Sequence, residues 1–149
     1  MNKFMAEAIK EARKAATAGE IPVGAVVVCD GKIISRGHNK REASQIATKH
    51  AEIIAIEKAC KKLKSWRLDG CEIYVSLEPC PMCAGAIANA RISKLYFAAE
   101  EKTSQDGLLE KIISSARLNH KVECSFTPCE EASKILTDFF KNKRKKTEI

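Results

Sequence analysis

Glu72-Ile73-Tyr74-Val75-Ser76-Leu77, then Pro79-Cys80-Pro81-Met82-Cys83-Ala84-Gly85-Ala86, then Lys94-Leu95-Tyr96-Phe97-Ala98-Ala99 is the stretch that decides the fold. Residues 72–77 and 94–99 read as strands. Between them, residues 81–90 are nearly all small and apolar and suit a short helix buried against a sheet. Strand, short helix, strand implies parallel pairing through a right-handed crossover.

Upstream, Asp69-Gly70 turns the chain into the first of these strands. Residues 50–63 read as a helix with Ile53, Ile56, Cys60 and Leu63 on its inward stripe. Val23 to Cys29 and Lys32 to Arg36 read as a hairpin, because Asp30-Gly31 is a pair that tolerates two positive φ angles. Residues 3–18 place Met5, Ala8, Ile9, Ala12, Ala15 and Ala16 at helical spacing, with Gly19 as the stop. Downstream come a helix near 107–117 and a strand near 121–126. Thr127-Pro128-Cys129-Glu130 then reads as a helix start, with Thr as cap and Ala132, Ile135, Leu136 and Phe139 turned inward. The expected architecture is α/β, a mixed five-stranded sheet with helices on both faces. It forms one domain over residues 1–149, with a basic C-terminal helix or tail from about 129 to 149.

The composition is that of an ordinary globular chain of 149 residues, 45% apolar and 30% charged, with 5% aromatic. The apolar runs are too short to span a membrane. The opening Met1-Asn2-Lys3-Phe4-Met5-Ala6-Glu7 enters an amphipathic helix with acids, unlike a secretory signal. Seven cysteines is an odd count, and two of them form Cys80-x-x-Cys83, so a reducing cytoplasm fits better than a disulfide scaffold. The net charge is +7, much of it in Lys141, Lys143, Arg144, Lys145 and Lys146. Such a run is either a solvated tail or a phosphate-backbone footprint, and charge alone does not choose.

His50-Ala51-Glu52 and Cys80-x-x-Cys83 carry the chemistry. Both fall at predicted helix starts, where unpaired N–H groups and the positive dipole end favour thiolates. One His and two Cys suit Zn²⁺ with a fourth position open, the arrangement of catalytic rather than structural zinc. Glu52 is the candidate acid/base beside it. A redox Cys-x-x-Cys is the rival reading of Cys80 and Cys83; it weakens because a matching His-x-Glu is present.

These motifs resemble the signature of the zinc-dependent deaminases. More of the chain is similar to one branch, the tRNA-specific adenosine deaminases that make inosine at the wobble position. The similarity runs through Gly19-Glu20-Ile21-Pro22-Val23-Gly24-Ala25-Val26, His50-Ala51-Glu52-Ile53 and Leu77 to Ala86. It continues through Arg91-Ile92, Asn119-His120 and Asp138-Phe139-Phe140 with the basic residues that follow. The resemblance implies a three-layer α-β-α cytidine-deaminase-like fold and hydrolytic deamination at adenine C6. It implies one Zn²⁺ per subunit on His50, Cys80 and Cys83, and Glu52 moving protons to N1 and to the departing ammonia. It implies substrate contacts at Asn39, Ala51, Val23 and Leu77. It also implies a cytoplasmic homodimer acting on a tRNA anticodon stem-loop, whose splayed bases are accessible to protein.

Phe140 sits one position off the inward stripe, so it faces either RNA or a neighbouring side chain, with Lys141, Lys143 and Arg144 placed to meet phosphates. His38 and His120 read as loop or edge residues, although His120 could approach RNA. Cys29, Cys60, Cys71 and Cys124 read as small core residues, and Trp66 as an anchor for its loop. Where the family commonly has Asp-Pro-Thr-Ala before the His, this chain has Ile46-Ala47-Thr48-Lys49, and its stretch Ser104-Gln105-Asp106-Gly107 is shortened. Two rivals remain: a deaminase of a free base or nucleotide of guanine or cytosine type, and a catalytically silent zinc or RNA-binding subunit.

Overall fold

Asp30 and Gly31 take φ values of 51° and 75°, as a two-residue hairpin turn of the type that matches strand twist requires. They fold strand β1 (Gly24–Cys29) onto antiparallel β2 (Lys32–His38), with a register shift between Val27 and Val28. The computed structural model describes residues 1–101, 106–115 and 120–147. Strand β3 (Glu72–Val75) pairs antiparallel with β1 and parallel with β4 (Lys94–Phe97), which pairs parallel with β5 (Glu123–Phe126). The sheet order is β2-β1-β3-β4-β5, the mixed five-stranded sheet read from the sequence.

Alternation along the strands divides the core in two. Val27, Ile73, Val75 and Leu95 point to one face, where they meet Ala55 and Ala59 of α3 (Ala51–Leu63), Ile87 of α4 (Pro81–Asn89) and Leu109 of α5 (Leu108–Ile113). Val26, Val28 and Tyr74 point to the other, where they meet Met5, Ala8 and Ile9 of α1 (Lys3–Thr17) and Ala132 of α6 (Glu130–Thr147). Asn2 caps α1 by accepting from the Phe4 and Met5 amides at 2.7 and 3.2 Å, and Gly19 follows its end at φ 80°. An ion pair between Arg13 and Glu131 ties α1 to α6. Among the described residues no helix is long and apolar enough to cross a membrane.

Several expectations need correction. The inward stripe of α3 keeps Ile56, with Cys60 packed at its edge, but it does not include Leu63 and it runs through alanines that the expected stripe of Ile53, Ile56, Cys60 and Leu63 omitted. Leu63 is 41% exposed, while Ala51, Ile54, Ala55, Ile56 and Ala59 are buried. The reason is steric: Gly37 of β2 offers no side chain, so α3 brings its alanines down onto the strand, and Ser35 Oγ donates to Ala55 O at 2.7 Å. Thr127 does not cap α6. Its amide donates to Phe97 O at 2.8 Å, prolonging the contact of β5 with β4, and the helix begins at Glu130. Of the two places expected for His38, loop or edge, it takes the edge: it ends edge strand β2 with Nδ1 3.1 Å from Glu11 Oε1. Trp66 is no buried anchor, being 59% exposed with Arg67 and Arg91 over its ring. A helix missed in the sequence, α2 (Arg41–Ser44), follows β2. The 107–117 helix is seen as α5, and Ser104, Gln105 and Asn119 lie outside the described residues.

Candidate active site

His50 and Cys80 occupy equivalent places in two helices, each the N-cap residue with extended backbone, at the starts of α3 and α4. Pro81 opens α4, where its missing N–H costs nothing. Cys83 is one turn further on and fully buried. His50 Nδ1 lies 3.6 Å from both Cys80 Sγ and Cys83 Sγ, and the three ligand atoms fall within 4.8 Å of one another. Zinc bonds of about 2.3 Å to sulfur and about 2.05 Å to nitrogen, set at the tetrahedral angle, require N···S edges of about 3.6 Å. The donor set and its spacing therefore fit Zn²⁺.

The two thiols interact with each other, and their pKa values are pushed apart. Cys80 is pulled down to about 5, first by the hydrogen bond from Cys83, then by backbone N–H groups of Cys83 and Met82 and by the His50 charge, against its burial. Cys83 is pushed up by that same hydrogen bond, by burial and by Glu52. Glu52, 3% exposed, is raised to about 7, chiefly by burial and further by the Cys80 charge. A cation on the sulfurs would offset that charge. A carboxyl that titrates near neutrality can both take and give a proton, which is what a general acid/base needs.

A cavity of about 520 Å³ opens over these residues. His50, Ala51, Glu52, Cys80, Asn39, Val23 and Leu77 all line it, with buried Cys83 behind the lining at 3.6 Å from His50, so the structure brings together the candidate metal, acid/base and substrate residues. Asn39, just past β2 and 7% exposed, is held by its amide donating to Val23 O at 3.1 Å and its Nδ2 to Ile21 O at 3.4 Å. From α6 come Ser133, Leu136, Thr137, Phe140 and Arg144. Lys141 and Lys143 are exposed on the same helix but do not line the cavity. His120 is placed apart from it, its Nε2 2.7 Å from the carbonyl oxygen of Ile92, which precedes β4.

The sequence reading missed Ile21, Arg41 and the α6 residues before Phe140. Ser133, Leu136, Thr137, Phe140 and Arg144 recur at three- and four-residue steps, so one helical face contains them all, and that periodicity was the available signal. Arg41 had none: its place depends on the short α2.

Over residues 1–144 the chain matches the family model of the MafB19-like deaminases. It is similar to the tRNA-specific adenosine deaminase of Bacillus subtilis (strain 168), 48% identical over 145 residues covering 96% of this chain and 90% of that protein. The tRNA-specific adenosine deaminase of Aquifex aeolicus (strain VF5) is 44% identical over 143 residues, 95% of this chain and 94% of that one. A solved structure from work on A-to-I editing by tRNA:A34 deaminases at the wobble position of transfer RNA superposes with a TM-score of 0.83. It is 38% identical, covering 89% of this chain and 98% of that one. The guanine deaminase of Bacillus subtilis superposes with a TM-score of 0.65 at 36% identity, covering 95% of each chain.

Proposed function

The chain belongs to the family of the tRNA-specific adenosine deaminases, and we propose that it converts adenosine to inosine at the wobble position of a tRNA anticodon loop. One observation carries the substrate assignment. The cavity floored by His50, Glu52 and Cys80 is walled by the α6 face that presents Phe140 and Arg144, so a base at the floor and its RNA neighbours at the rim contact one continuous surface. Free guanine or cytosine has no use for that rim.

His50, Cys80 and Cys83 would hold one Zn²⁺ per subunit, which when bound supplies Lewis-acid activation of water. Glu52 handles the protons: it accepts one from the attacking water and delivers it to adenine N1, then takes the second from the new C6 hydroxyl and passes it to the departing amino group, which leaves as ammonia. The C6–N bond breaks, a C6–O bond forms, and water supplies the oxygen. Asn39 offers both a donor and an acceptor to the nucleoside, the first turn of α3 at Ala51 meets the base edge, and Val23 and Leu77 cover its apolar faces. Phe140 stacks on a loop base, and Lys141, Lys143 and Arg144 meet phosphates. The active form we propose is a cytoplasmic homodimer.

The test is to incubate the chain with an adenosine-34 anticodon stem-loop and, separately, with free guanine, cytosine and adenine, and to assay inosine and ammonia. Inosine from the stem-loop supports the proposal. Turnover confined to free bases overturns it, and likeness to a guanine deaminase makes guanine the rival to include.

A further inference from the structure

Glu20 is a carboxylate only 1% exposed, in the connection between α1 and β1. Its two oxygens face backbone rather than a cation: Oε1 accepts from the Glu42 amide at 3.0 Å and Oε2 from the Ala43 amide at 2.7 Å. Both amides belong to the first turn of α2. This helix has four residues, none of them buried, and its N-cap residue Lys40 makes no side-chain capping bond. A helix that short does not sustain itself, and no apolar face presses it onto the core. Glu20 therefore supplies from a distance the cap that the local sequence omits.

What α2 carries gives this cap a consequence. Asn39 and Arg41, at its entry, line the cavity. Arg41 N donates to Asn39 Oδ1 at 3.4 Å, and Asn39 is bonded in turn to Ile21 and Val23, which line the same wall. The segments 20–23 and 39–43 are thus laced together, with Glu20 as the charged end of the lacing. The metal-ligating side has its own anchorage in α3 and α4 packed on the sheet, and one backbone bond, from Lys40 N to Lys49 O at 3.0 Å, joins the two sides.

We propose that Glu20 is a positioning residue: by clamping α2 it holds Asn39 and Arg41 at the spacing the substrate needs, without touching substrate itself. This rests on the deaminase function proposed above. Glu20→Gln keeps the volume but leaves one amide facing an NH₂ group, and Glu20→Asp keeps the charge with a shorter reach. Steady-state turnover of the adenosine-34 stem-loop, zinc content and residue-level hydrogen exchange are measured for both and for the unmodified chain. In Glu20→Gln, exchange at the Glu42 and Ala43 amides accelerates and KM rises by roughly tenfold, with kcat within about twofold and zinc content unchanged; Glu20→Asp falls between. An unchanged KM despite faster exchange overturns the proposal. So does a loss of kcat in proportion to lost zinc or lost folded protein. If Glu20→Gln does not fold, Glu20→Asp decides by the same KM and exchange readouts. If the unmodified chain turns over only a free base, the function proposed above falls, while KM on that base and the exchange rates still decide the clamp.

Discussion

Gly37 lies directly beneath the first turn of α3: a β-carbon on it would stand 2.5 Å from the carbonyl oxygen of Ala51 and 2.9 Å from the amide nitrogen of Ala55. Both are backbone atoms, and Ala51 stands between His50 and Glu52. The seat of the helix that carries the candidate ligand His50 is therefore set by the absence of one methyl group.

Gly37→Ala should displace α3 from β2. Overpacking of this kind costs about 1–3 kcal/mol, read as a lower denaturant midpoint. Zinc content and turnover should fall with it, since His50 and Glu52 ride on the displaced turn. A variant of unchanged midpoint and full zinc content would show that α3 is seated by other contacts.

Glu52→Gln removes the group that moves protons but none of the candidate ligands. Deamination should fall by roughly 10²–10⁴-fold at unchanged zinc content and unchanged stem-loop affinity. Full activity in this variant would refute the proton role.

The rim predicts a separable effect. Phe140, 43% exposed, and Arg144 line the cavity mouth, so Phe140→Ala and Arg144→Ala should raise KM for the stem-loop while thermal stability and zinc content hold. Arg144→Ala should also flatten the salt dependence of binding by roughly one unit of slope in log affinity against log salt. Salt dependence unchanged from the parent chain would remove Arg144 from the phosphate contacts.

Stability should depend on Glu11 in acid. Burial raises its carboxyl, but hydrogen bonds from Lys14 and His38 outweigh that and hold it below its ordinary 4.5. A carboxylate depressed on folding stabilises above its unfolded pKa, and that stability is lost as pH falls through the folded value. Glu11→Gln should therefore cost about 1–3 kcal/mol at neutral pH, and the gap from the parent chain should close below pH 4.5. Urea melts at neutral pH and in acid check it; an equal gap at both would mean the carboxylate charge is irrelevant.

The fold was legible wherever its cause was local. The Asp30-Gly31 hairpin, the strand–helix–strand run from 72 to 99 and the two N-cap ligands all follow from turn chemistry, periodicity and Pro placement within a few residues. The misreadings have distant causes. The buried face of α3 answers to Gly37, fourteen or more positions earlier in the chain. Thr127 looks like a cap until Phe97 O claims its amide. Arg41 lines the cavity from the start of a helix whose next two amides are bonded to Glu20, a residue of another segment.

His50, Glu52, Cys80 and Cys83 were determined by sequence alone, because residue type and spacing at a helix start already dictate donor chemistry and mutual reach. That His50 Nδ1 stands at tetrahedral-edge distance from both sulfurs, that Glu52 is almost wholly buried at the cavity wall and that α6 walls the same cavity were decided only by the tertiary structure. Those facts are distances between segments far apart in the chain, and packing across the sheet sets them rather than any local preference.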